Sequence, residues 1–177
     1  MKLSNMLGVD TIEADLKAKD KNGVIEELVD LLFKAGKITQ KEKVLDAVLA
    51  REALLTTGIG YGVAIPHARS DEAHNIDDIF NRSMQGVGSN SLYENDTAIV
   101  VAFGRSAQGI EFNAVDNAPV HLIFLLIASG EGTSLHIKAL ARISRLLKQP
   151  YIRDLLKNAK DAQSIIGIIE TEEAKQM

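Results

Sequence analysis

Among the side chains of this 177-residue chain that could accept a chemical group and pass it on, His67 has the most constrained setting. It closes the segment REALLTTGIGYGVAIPHARS, residues 51–70, in which three closely spaced glycines lead to Ile65-Pro66-His67. Pro66 fixes its own φ and pushes Ile65 into an extended conformation, while Gly58, Gly60 and Gly62 allow backbone to approach where a Cβ would clash. A neutral imidazole near physiological pH is both a good nucleophile and a good leaving group. A second histidine, His136, falls in the first turn of a predicted helix over 134–148, on the inward face with Leu140, Ile143 and Leu147. Arg51 ends another helical pattern just ahead of the glycines. One mounted imidazole, a second at a helix N-terminus whose free N–H groups favour anions, and a guanidinium fit phosphoryl transfer.

Competing chemistries fit less well. Gly58-x-Gly60-x-Gly62 matches neither the Walker nor the dinucleotide pattern, and it follows a helix where both of those follow a strand. His67, His74, His121 and His136 include no i, i+4 pair, and the chain has no cysteine, so no metal site is indicated. His121 sits in an apolar strand and reads as a hydrogen-bonded structural residue; His74 is assigned no role. A Ser-His-Asp triad is a spatial constellation that spacing does not reveal, and GxSxG is absent.

The elements that must position these residues are legible as patterns. Val24, Ile25, Leu28, Leu31, Leu32 and Ala35 predict a helix over 21–35, with Asp20 as N-cap and Gly36 at its end. Thr39 and Glu42 have capping-box spacing ahead of a second helix that runs to Arg51 and Glu52. Strands are expected over 62–65, 97–103 and 120–128; the last, VHLIFLLIA, has the unbroken apolar run of a central strand covered on both faces. GRSAQG reads as a turn before a short extended piece, 110–112. Further helices are expected from Pro150 to Asn158, and from a cap at Asp161 to Ala174. The stretch 71–96 is irregular, with a short helix possible at 76–84, and has the composition of a lid or of mobile filler.

Hydrophobic residues make up 46% and charged residues 25%, ordinary values for one globular domain with a full core. Without cysteine, thiolate chemistry is excluded. A net charge of -4 and the lack of a basic block argue against nucleic acid as partner. No run is long enough for membrane insertion and the first ten residues lack the apolar core of a secretory signal, so the expected location is cytoplasmic.

The 51–70 segment resembles the active-site signature of enzyme IIA domains of the mannitol/fructose class of the phosphoenolpyruvate-dependent sugar phosphotransferase system, which include the nitrogen-regulatory proteins. DLKAKDKNGVIEELVDLLFKAGKI, VAFGRSAQGIEF, APVHLIFLLIAS and HIKALARISRLL are similar to the family too, leaving mainly an insert at about 72–96 and the extreme tail outside it. The resemblance implies an α/β fold over 1–177, a single domain with a mixed, mostly parallel β-sheet sandwiched by α-helices. It implies that His67 is phosphorylated by the phosphohistidine of the histidine-containing phosphocarrier protein, that His136 orients the phosphoryl group, and that Arg51 stabilises it electrostatically. The scheme requires no cofactor and no metal. Two departures stand out: the insert soon after His67, and a Ser129-Gly130-Glu131 turn without the proline common there.

Two roles then compete. In sugar uptake, the next acceptor is a cysteine of an enzyme IIB, expected on a separate chain with the membrane-spanning part. In a regulatory module, phosphorylation of His67 adds charge to an exposed site and changes which protein partner is bound. A third reading is a relative whose insert buries His67 and has ended the relay.

Overall fold

The computed structural model describes residues 2–73, 98–130 and 133–175. At its centre is β6 (Val120–Ala128), the apolar run, buried at every residue except His121. β6 pairs antiparallel with β5 (Ile99–Ile110), and β5 pairs parallel with the short edge strand β1 (Ile12–Glu13). On its other side β6 pairs parallel with both β3 (Val63–Ala64) and β4 (His67–Arg69), and β2 (Gly58–Gly60) pairs antiparallel with β3. Three of these five pairings are parallel, so the sheet is mixed as expected.

Helices cover both faces. α1 (Lys21–Lys34) and α2 (Lys41–Leu54) pack with Ala64, Ala68, Val100, Ala102, Ile123, Leu125 and Ile127 into one core. α3 (Thr133–Lys148), α4 (Pro150–Lys157) and α5 (Ala162–Lys175) pack with Val63, Val101, Phe103, Leu122, Phe124 and Leu126 into the other. The alternation of β6 residues between the two cores follows from the two-residue period of a strand. α1 starts where the Asp20 side chain accepts a hydrogen bond from the Gly23 N–H at 2.9 Å, and it ends ahead of Gly36, whose φ of 70° turns the chain. Asp161 likewise caps α5 by accepting from the Ser164 N–H at 2.8 Å.

Three expectations need correction. The capping box at Thr39 and Glu42 does not form: Gln40 is the N-cap without a side-chain bond, and the Thr39 hydroxyl donates instead to the Glu72 carboxylate. GRSAQG is not a turn between two strands, because β5 runs through it. Its polar residues ride a register irregularity between Arg105 and Ile110, where Gly109 takes a φ of 82° and its N–H bonds the Ser106 hydroxyl. The strand expected over 62–65 shrinks to Val63–Ala64, since Gly62 and Ile65, which flank it, fall outside the strand. Glu72 and Ala73 pack on the start of α2, Ala73 bridging to Ile38 and Glu72 pairing with Lys43. The helix expected at 76–84 and His74 lie outside the described residues.

Candidate active site

α2 delivers two neighbouring residues with opposite tasks. Glu52 continues the Val44 and Val48 stripe and is only 6% exposed. Its carboxylate accepts from the Thr57 N–H at 3.0 Å and from the Thr57 hydroxyl, and pairs with the Lys21 ammonium at 2.6 Å. This fixes the chain as it leaves the helix. The Thr57 carbonyl then accepts from the Ile65 N–H at 3.0 Å, and the Pro66 carbonyl from the Leu126 N–H at 3.0 Å, which sets β4 beside β6. Gly58 is required here by space: a Cβ would meet the Ala114 Cα at 2.8 Å. Gly62 is required by conformation, with a φ of 75°.

His67 is the first residue of β4 and is half-buried. Its Nδ1 lies 2.7 Å from the Ile65 carbonyl oxygen. A carbonyl can only accept, so Nδ1 carries the proton and Nε2 keeps its lone pair. Glu52 anchors Thr57, whose carbonyl holds the Ile65 N–H, and so it supports the segment that presents this acceptor to His67.

His136, in the first turn of α3, meets His67 edge to face: the ring centroids are 5.4 Å apart and the planes 77° from parallel. It is 8% exposed, and its buried Nδ1 has no hydrogen-bond partner among the described residues. Burial is the main cause that holds both imidazoles below the usual histidine value, against the Ile65 bond that raises His67. The positive charge of Arg51 acts on both rings in the same direction, and Arg69 acts on His136. Arg51 itself donates from Nη1 to the Leu55 carbonyl at 2.9 Å. The three expected residues thus converge, from α2, β4 and α3. Their setting is less open than expected of an exposed site, because α3 packs over the sheet and buries His136.

Sequence reasoning missed Glu52 and Arg69. Glu52 had a signal, a carboxylate at i+4 from Val48 on a core-facing stripe; Arg69 had a weaker one, two residues beyond His67 on one strand face. His121 is structural as expected, with Nδ1 2.8 Å from the Ser106 carbonyl. Among the described residues no group of three or more His, Asp or Glu is placed to hold a metal ion.

A family model described as "Phosphoenolpyruvate-dependent sugar phosphotransferase system, EIIA 2" matches residues 5–172. The chain belongs to this EIIA family. Two curated relatives carry fructose-specific names. The EIIABC component of Bacillus subtilis is 34% identical over 96% of this chain, which spans 23% of that protein. The EIIA component of Haloferax volcanii is 30% identical, with 94% of each chain covered. A nitrogen regulatory protein of Bradyrhizobium diazoefficiens is 33% identical over 96% of this chain and 95% of its own length. The structure of nitrogen regulatory protein IIA-Ntr from Neisseria meningitidis superposes with a TM-score of 0.76 at 26% identity, covering 94% of this chain and 98% of that one. The Escherichia coli mannitol enzyme IIA, solved in complex with phosphorylated enzyme IIB, shares the fold with a TM-score of 0.64 at 19% identity, covering 93% and 97%. The EIIA fold expected from the sequence is thereby established, with its mixed sheet between two helical layers.

Proposed function

We propose that this EIIA protein is a phosphoryl carrier: Nε2 of His67 accepts a phosphoryl group from the phosphohistidine of the histidine-containing phosphocarrier protein and passes it to an enzyme IIB. The observation that carries the reading is the bond from Nδ1 of His67 to the Ile65 carbonyl, which leaves an unprotonated Nε2 on a ring facing His136. In the transfer, the Nε2 lone pair forms the new N–P bond while the old P–N bond breaks and its electron pair returns to the donor imidazole. The His67 ring becomes positively charged as the bond forms, and the Ile65 carbonyl stabilises the more acidic Nδ1–H. His136 and Arg51 hold the phosphoryl oxygens as charge spreads over them. The depressed proton affinity of His67 keeps Nε2 free at neutral pH. Among the described residues no helix is long and apolar enough to cross a membrane.

A regulatory role is the second reading, in which the phosphorylation state of His67 controls binding to another protein. It is favoured by the 33% identity to a nitrogen regulatory protein across nearly the whole of both chains. The test of the first step is the intact mass with and without phosphoenolpyruvate, enzyme I and the phosphocarrier. One acid-labile phosphoryl group on wild type and none on His67→Ala is expected; equal labelling of both would overturn the assignment. Transfer onward to a purified enzyme IIB, set against phosphorylation-sensitive capture of another partner, separates the two roles.

A further inference from the structure

His67 and Arg69 lie on one face of β4. In the parallel pairing with β6 they stand opposite Leu126 and Ala128, both in the core beneath α3–α5, whereas Ala68 stands opposite Ile127 in the core beneath α1 and α2. The end of β4 is also stapled to the connection that leads into α3: the Ser70 N–H donates to the Ala128 carbonyl at 2.9 Å, and the Gly130 N–H donates to the Asp71 carboxylate at 3.1 Å. Arg69 is therefore held at the end of α3 that carries His136. It is exposed, and its side chain makes no hydrogen bond or ion pair among the described residues. Arg105, Arg142 and Arg153 by contrast are spent on backbone carbonyls or on Glu173.

We propose that Arg69 is a second guanidinium that grips the phosphoryl oxygens at His67, so that the group is held between Arg51 at the end of α2 and Arg69 at the end of β4. The inference rests on His67 being the acceptor. A phosphoryl dianion offers three oxygens, and a planar guanidinium meets two of them at once. A carboxylate partner would cancel the charge before the phosphoryl group arrived; among the described residues Arg69 has none, and its field already reaches the His136 ring.

Phosphoramidate, a small phosphoryl donor that brings no docking surface, tests this on the purified protein. Labelling of His67 is followed by intact mass in wild type, R69Q, R69K and H67A. Wild type should label well above H67A, R69Q about tenfold more slowly, and R69K, which keeps the charge without the planar fork, should fall between R69Q and wild type. With the phosphocarrier as donor, R69Q should lower kcat and leave KM within about twofold. An NMR titration should show His136 gaining its proton at higher pH in R69Q, a change that a merely structural role would not produce. An unchanged thermal midpoint for R69Q verifies that it folds. A wild-type rate for R69Q with phosphoramidate overturns the proposal, even if transfer from the phosphocarrier slows, since Arg69 would then serve docking. Labelling of wild type no faster than H67A overturns the assignment of His67 and this proposal with it.

Discussion

Replacing Glu52 by alanine probes the link between the core and the reacting imidazole. The substitution removes the acceptor of the Thr57 N–H and hydroxyl and the partner of the Lys21 ammonium. Thr57 is 4% exposed, so its stranded N–H costs about 1–3 kcal/mol. Breaking a buried ion pair costs about 3–5 kcal/mol when the orphaned charge stays buried. The Lys21 side chain is 19% exposed and can turn to water, which brings the ion-pair loss below that range, to about 1–2 kcal/mol, and the total to about 3 kcal/mol. For a domain of this size that loss lowers Tm by roughly 6–12 °C. Urea unfolding at constant m measures it directly. Glu52→Gln keeps an acceptor oxygen for Thr57 and should lose less. The same variants, followed by NMR of His67, should show a weakened Nδ1–H bond, because Thr57 no longer anchors Ile65. A loss below about 1 kcal/mol with an unchanged His67 signal would refute the claim that Glu52 holds this loop.

Gly58→Ala should destabilise by about 2 kcal/mol in the same assay, because its Cβ meets backbone at Ala114 and a strand must shift to admit it. His136→Phe should raise stability by about 1 kcal/mol by removing a buried unpartnered nitrogen, while slowing phosphoryl transfer by about 100-fold; denaturation midpoints and timed intact-mass labelling read the two effects. Both histidines are held below their usual value of 6.5, chiefly by burial. Below that pH the unfolded chain binds protons that the native state refuses. The stability these rings contribute is therefore complete above about pH 6.5 and declines as pH falls toward their depressed native values, as urea midpoints across pH 5–7.5 should show. Labelling of His67 should likewise persist below pH 6.5, and a rate that halves at or above 6.5 would contradict the depressed affinity.

Much of the scaffold is legible from local pattern. The caps at Asp20 and Asp161, the end of α1 at Gly36 and the burial of β6 all follow from interactions within a few residues or from uninterrupted apolarity. Where a distant partner intervenes, local reading fails. Thr39 has the spacing of a cap, yet Glu72 takes its hydroxyl. GRSAQG has the composition of a turn, yet pairing with β6 carries the strand through it.

The same division runs through the site. Pro66, the glycines and the helical stripe ending at Arg51 and Glu52 are local facts of the chain, and they suffice to mark His67 as a mounted imidazole. Its approach to His136, the choice of Nδ1 as the protonated nitrogen and the reach of the Arg51 charge to both rings depend on β4 lying against β6 with α3 folded back over it. Residue type and spacing set what each segment can do alone. Only packing brings α2, β4 and α3 to one point, since burial and charge at an imidazole are sums over neighbours remote in sequence.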